Sequence, residues 1–186
     1  MNILIYGSRD FGQIIKELVI CIGHNFMGFI DDFNSGDEII GSYEKSKEKF
    51  LPKDAAIIIG IGYQHLAARW KLYQNILRDG YHIPTLIHPE AYVSNPDAIG
   101  QGTIIMARAI IDVKTKIDSL VTIWPGSIVN HDVTIGANTF LSPGSIVCGF
   151  SEIGAHSFVG AGAIIADHCI VPPESFVKAG KIYHAV

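Results

Sequence analysis

The chain has 186 residues, 48% of them hydrophobic, with 14 basic and 18 acidic side chains and a formal net charge of -4. That length supports one or two modest cores, and the acidic balance without any basic block argues against a nucleic-acid surface. No apolar run is long enough to span a bilayer and no charged leader precedes the first strand-like residues, so a cytoplasmic protein without membrane insertion is expected.

Asn2 to Tyr6 is a short apolar run ending at Gly7. Phe11 to Ile22 then carries helical spacing through Ile14, Ile15, Leu18, Val19 and Ile22, and closes at Gly23. Phe26 to Ile30 reads as a second strand ending in Asp31 and Asp32, and Ala55 to Ile61 as a third, followed by Gly62 and Tyr63. The charged stretch from Ser42 to Phe50 is a surface helix or a loop. Gln64 to Arg78 predicts a second long helix with Leu66, Ala67, Trp70, Tyr73 and Leu77 on one face, and Thr85 to His88 a fourth strand. Alternating strands and helices indicate a small parallel α/β domain of Rossmann type.

Ligands of such a sheet bind at the carboxyl ends of its strands, here Gly7 and Ser8, Asp31 and Asp32, and Gly62 and Tyr63. Gly7 and Gly12 match the outer glycines of a dinucleotide fingerprint. Arg9, however, stands where the backbone must approach a pyrophosphate closely, which disfavours a nicotinamide cofactor. Either aspartate could bind a ribose hydroxyl or cap a turn.

From Val93 onward the signal is a period of six. Ile99, Ile105, Ile111, Ile117, Ile123, Val129, Ile135, Leu141, Val147, Ile153, Val159, Ile165, Val171 and Val177 follow without a miss. Two positions before most anchors is a small residue, such as Thr103, Ala109, Ser127 or Ser145. A hexad of this kind cannot bury its own apolar face and must stack on its neighbours, forming a β-helix of triangular coils with 18 residues each. The residue before each anchor points outward. Two of the three outer faces are apolar, one through Tyr92, Ile110, Ile128, Ile146 and Ile164 and one through Ile104, Phe140, Phe158 and Phe176, while the third carries Lys116, Thr134 and Glu152. Ladders of this size predict burial against copies of the same prism, most simply in a closed homotrimer.

Asn130, His131 and Asp132 follow anchor Val129 at a corner between an apolar face and the polar one. A histidine in such a cleft can remove a proton from an amine or hydroxyl, and a neighbouring carboxylate can fix its tautomer. Taken alone, an exposed histidine on a turn is more often an ordinary surface residue. A zinc site is not expected, because His156 and His168 lie on different faces and neither stacks 18 residues from another histidine. Cys21, Cys148 and Cys169 lack paired or metal-type spacing.

With a Rossmann-like front, an uninterrupted hexapeptide array and Ile128-Val-Asn-His-Asp-Val-Thr-Ile-Gly136 in its middle, the chain resembles the sialic-acid O-acetyltransferase and nucleotide-sugar N-acetyltransferase family over nearly its whole length. The resemblance implies a Rossmann-like acceptor-binding domain over residues 1–88 and a left-handed parallel β-helix acyltransferase domain over 89–186. It also implies acetyl-CoA as co-substrate, a homotrimer with sites between subunits, and a sugar or nucleotide-sugar acceptor. By this resemblance His131 is the general base and Asp132 its partner. Gly149 and Ala161, one and two coils onward, would line the pantetheine arm. Gly7, Ser8, Asp31, Asp32, Gly62 and Tyr63 would be acceptor candidates. The chain departs from the family at Phe140, where a second histidine is usual, at Trp124, where an asparagine is usual, and in its first turn and C-terminus. Phe140 extends the ladder of Phe158 and Phe176, whereas Trp124 has no ladder partner and is expected to shape the acceptor or acyl pocket. The alternative is a non-catalytic trimeric scaffold that binds a sugar nucleotide or a partner protein.

Overall fold

The structure is a computed structural model that describes residues 1–184. It divides into two compact units, one from Met1 to Pro84 and one beginning at Thr85.

The first unit is a four-stranded parallel sheet of β1 (Asn2–Tyr6), β2 (Asn25–Ile30), β3 (Ile39–Gly41) and β4 (Ala56–Ile59) in the order β3-β2-β1-β4. The helices are α1 (Asp10–Cys21), α2 (Tyr43–Lys49) and α3 (Leu66–Arg78). Ile3, Leu4, Ile5, Ile57, Ile58 and Ile59 are fully buried. Such continuous apolar runs are what a sheet covered on both faces requires. Helix α1 buries Ile15, Leu18 and Val19, as its spacing predicts.

Helix α3 turns a different face inward from the one expected. It buries Arg69, Leu72, Tyr73 and Ile76, while Ala67 is exposed and Leu77 only partly covered. This stripe also has i, i+3, i+4, i+7 spacing. Its leading position is an arginine, which hydropathy assigns to solvent, and that displaces the expected stripe. The charged stretch beginning at Ser42 is helical, with the Ser42 side chain accepting from the Lys45 N–H as an N-cap. Strand β3 is too short and too half-buried to announce itself by periodicity.

Thr85 to His88, read as the last strand of the α/β sheet, instead opens the second unit. Leu86–Ile87, here β5, pairs in parallel with Ile104–Ile105. From there the chain is a left-handed parallel β-solenoid of three sheets, each built from two-residue strands. Thr122 pairs with Phe140 and Phe140 with Phe158, Ile128 with Ile146, and Thr134 with Glu152, so partners stand 18 residues apart on every face. The anchors Ile105, Ile123, Val129, Ile135, Leu141, Val147, Val159 and Ile165 are fully buried and form one continuous core.

Small inward residues supply more than space. Ser127 Oγ donates to the Ser142 carbonyl at 2.9 Å, Thr115 Oγ1 to Asn130 at 2.7 Å, Thr103 Oγ1 to Asp118 at 3.0 Å and Ser151 Oγ to Ala166 at 2.8 Å. Each of these four hydroxyls therefore finds a corner carbonyl, which is the condition for placing a polar group in this core. The corners follow an equally strict rule, because every sixth residue from Gly102 to Gly180 has a positive φ. Non-glycine residues accept that conformation at Arg108, Lys114, Leu120, Asp132, Asn138, Phe150, His156, His168 and Glu174.

Candidate active site

In the first unit, the chain runs outward from β1 to β2 and β3 and returns to β4 on the other side of β1. The strand order thus reverses beside β1, where open α/β sheets leave a crevice at the carboxyl ends of their strands. A cavity of about 560 Å³ opens there, lined among others by Gly7, Ser8, Arg9, Asp31, Asp32, Phe33, Gly60, Gly62 and His65. Five of the six acceptor candidates meet in it, Gly7, Ser8, Asp31, Asp32 and Gly62; Tyr63 is an exposed neighbour outside the lining. Gly12 keeps α1 against the sheet, because a Cβ there would lie 1.9 Å from the Gly7 carbonyl oxygen.

Both aspartates are already engaged by the protein. Asp31 Oδ2 accepts from Ser8 Oγ at 2.6 Å, and its Oδ1 accepts from the backbone N–H groups of Phe33 and Asn34, each at 2.9 Å. Burial would raise the Asp31 pKa, but hydrogen bonds from Ser8, Asn34 and Phe33 outweigh it and hold the carboxyl well below the usual carboxylate range. This is the turn-capping geometry of an Asx turn, which carries Phe33 to the cavity rim, 93% exposed. Asp32 Oδ1 accepts from the Tyr43 N–H at 2.8 Å, and its Oδ2 takes a close hydrogen bond from the Tyr6 hydroxyl. Burial, reinforced by Asp32, pushes the Tyr6 phenol far above its ordinary range, so Tyr6 remains a donor at neutral pH.

In the second unit, His131 and Asp132 lie on the corner that follows the strand Ile128–Val129. His131 Nδ1 lies 3.1 Å from Asp132 Oδ2. A carboxylate only accepts, so the contact places the proton on Nδ1 and leaves the lone pair on Nε2. The imidazole is 45% exposed, and Asp132 has Lys114 Nζ at 3.8 Å from its other oxygen. The ring lies over Gly149, one coil onward, where a Cβ would come within 2.8 Å of His131 Cε1. Phe150 presents its ring edge-on to the imidazole at 5.2 Å.

Gly149 is therefore beneath the His131 imidazole as well as one coil along from it, a relation visible only once the coils are stacked. Ala161 follows the strand Phe158–Val159 of a different sheet, so within one chain it stands on another edge of the prism from His131 and Gly149. Trp124 is half-buried after the strand Thr122–Ile123 of that same sheet, on the edge that also carries Ala161. Phe140 continues the expected ladder, and beyond it the rings of Phe158 and Phe176 stack at 4.7 Å.

Residues 2–76 match the family described as the PglD N-terminal domain, and residues 132–167 match the bacterial transferase hexapeptide family of six repeats. The acetyltransferase domain of PglB from Neisseria gonorrhoeae FA1090, solved in complex with acetyl coenzyme A, superimposes with a TM-score of 0.89 at 28% identity, covering 96% of this chain and 88% of that one. In both of its units, then, the chain is similar to hexapeptide-repeat nucleotide-sugar acetyltransferases. Another member of this acetyltransferase fold, PerB from Caulobacter crescentus, solved with CoA and GDP-perosamine, has a TM-score of 0.89 at 23% identity over 99% of this chain and 89% of its own. Among curated proteins, the UDP-N-acetylbacillosamine N-acetyltransferase of Bacillus subtilis (strain 168) is 29% identical over 113 residues, 57% of this chain. That match spans about half (51%) of the curated relative's length. The similarity to acetyltransferases thus involves both units of the chain. No helix among the described residues is long and apolar enough to cross a membrane.

Proposed function

We propose that this protein transfers an acetyl group from acetyl-CoA to an amino group of a nucleotide-linked sugar, with His131 as general base. The observation that carries this reading is the 3.1 Å contact from His131 Nδ1 to Asp132, which leaves Nε2 as a basic, solvent-reachable nitrogen. As the acceptor nitrogen attacks the thioester carbonyl, Nε2 takes its proton, and Asp132 stabilises the imidazolium that forms. The carbon–sulfur bond then breaks, the acetamide forms, and the departing thiolate recovers the proton. The similarity to the Bacillus UDP-N-acetylbacillosamine N-acetyltransferase favours nitrogen over oxygen as the acceptor atom.

Gly149 and Ala161 are assigned to the path of the pantetheine arm. They occupy different edges of one prism, so both can border one arm only if a second copy contributes one of those edges. A homotrimer meets that need and covers the apolar ladder of Tyr92, Ile110, Ile128, Ile146, Ile164 and Ile182, of which Tyr92 and Ile182 are 58% and 57% exposed. Trp124 is assigned to the wall of the acceptor or acyl pocket, and the cavity holding Ser8, Asp31, Asp32 and Gly62 to the nucleotide part of the acceptor. A cytoplasmic location fits a reaction that consumes acetyl-CoA.

The test is a panel of nucleotide-linked amino sugars incubated with acetyl-CoA and read by mass. Gain of one acetyl group on at least one member, abolished in His131→Ala, is the expected result. No product with any acceptor, together with no calorimetric response to CoA at millimolar concentration, would replace the enzyme by a trimeric scaffold.

A further inference from the structure

The edge that carries His131 continues into a stack of rings that the acid–base chemistry does not use. The rings of Phe150 and His131 form a T, with centroids 5.2 Å apart and planes at 82°, and Phe150 also stacks on His168 at 4.8 Å and 25°. His168 Nδ1 in turn lies 3.2 Å from Asp167 Oδ2. Backbone bonds tie the same three coils, with the Phe150 N–H donating to the His131 carbonyl at 3.3 Å and the His168 N–H to the Gly149 carbonyl at 3.0 Å.

The φ of +58° at Phe150 is the one that every corner of the solenoid takes, so the backbone alone does not single this residue out. Its side chain does, because a large aromatic ring left 51% exposed is not held by core packing but lies between two imidazoles. What the ring achieves here is visible in its neighbour. The imidazole has Gly149 beneath it, Asp132 on Nδ1 and Phe150 at its edge, which restricts rotation about its side-chain torsions.

We infer that Phe150 is a positioning residue for His131, with Gly149 as the seat of the imidazole and His168 as the backing that holds the Phe150 ring upright. This inference rests on His131 being the base. Its content is that the direction of Nε2 is set by the next two coils as well as by Asp132.

The experiment follows the imidazole directly in the full-length protein, by NMR of histidine labelled with ¹⁵N and ¹³C, with the His131 signal assigned by its disappearance in His131→Asn. In wild type the ring nitrogens should report predominantly the Nδ1–H tautomer, and the carbon-bound protons a ring-current shift from Phe150. Phe150→Asn suits the left-handed backbone and is expected to keep the wild-type melting temperature. It should lose the ring-current shift, mix the tautomers and lower kcat about ten- to hundredfold, with KM for acetyl-CoA unchanged. Phe150→Tyr should restore all three. Gly149→Ala should displace the His131 signal in the same sense.

An unaltered tautomer and kcat in Phe150→Asn, with His131→Ala inactive, would overturn the positioning role and leave the base assignment standing. An active His131→Ala would overturn the base assignment itself. Should the asparagine variant not fold, Phe150→Leu, which keeps bulk and removes the ring, takes its place with the same expected outcomes.

Discussion

Asp132 Oδ2 receives the Nδ1 proton of His131 across 3.1 Å although the two residues are adjacent in the chain. In an extended strand their side chains would point to opposite faces. The left-handed turn at Asp132, with φ +56°, instead accompanies the return of the carboxylate to the preceding ring. A local backbone conformation thus brings an imidazole and a carboxylate together without a long-range contact.

Removing the imidazole should therefore affect chemistry and spare the fold. His131→Ala is expected to lower kcat by about two to four orders of magnitude, in the range of general-base losses, with an unchanged melting temperature. Asp132→Asn can still face Nδ1 but no longer carries the charge that stabilises an imidazolium. Its kcat should fall less. Steady-state kinetics on both variants checks the pair.

Asp31 supports the cavity through its charge. Because its carboxyl titrates lower in the folded than in the unfolded chain, its stabilisation is complete above the ordinary carboxylate pKa of about 3.9 and is lost as pH falls below it. Asp31→Asn should destabilise the first unit by about 1–3 kcal/mol at neutral pH, as expected for buried donors losing an ionised acceptor. That gap should begin to narrow as denaturant titrations are repeated toward pH 3.

The contact of α1 with the end of β1 is equally specific. Gly12→Ala places a methyl group 1.9 Å from the Gly7 carbonyl oxygen, which requires the helix to move away. We expect a loss of about 1–3 kcal/mol and weaker binding of the nucleotide acceptor, measured by thermal melting and calorimetry.

Inside the prism, Leu141→Ala should cost about 2–5 kcal/mol, because the stacked coils on either side cannot collapse into the space. On its outside, Ile146→Glu should leave the single-chain fold intact and convert the proposed trimer to monomers in sedimentation velocity. Acetyl transfer should be lost with the trimer.

Most of the second unit was legible because its code is one-dimensional. An inward aliphatic at every sixth position, from Val93 to Val177, states both the coil and the 18-residue ladder, and the structure pairs Ile128 with Ile146 and Thr134 with Glu152 accordingly. His131 and Asp132 were legible for a related reason, since their contact lies within two residues of sequence. What sequence could not supply were relations across space. The seat at Gly149 and the edge contact of Phe150 need the coils to be superimposed, although counting 18 residues on from His131 and Asp132 reaches them. The inward face of α3 was missed because it begins with buried Arg69. Thr85 to His88 was given to the wrong sheet because a two-residue strand carries no sign of its partner. Asp31 had two open roles, and only the N–H groups of Phe33 and Asn34 show that it caps a turn.

The left-handed corners have a consequence for how such a protein changes over time. Inward positions tolerate only a narrow choice of shapes, but several corner side chains stand outside the core, and exposed residues as different as Lys114, Phe150 and Glu174 share one conformation there. Each edge is then a column of interchangeable slots with a fixed rise, and new reactivity can be installed by exchanging residues along an edge while the scaffold keeps its shape.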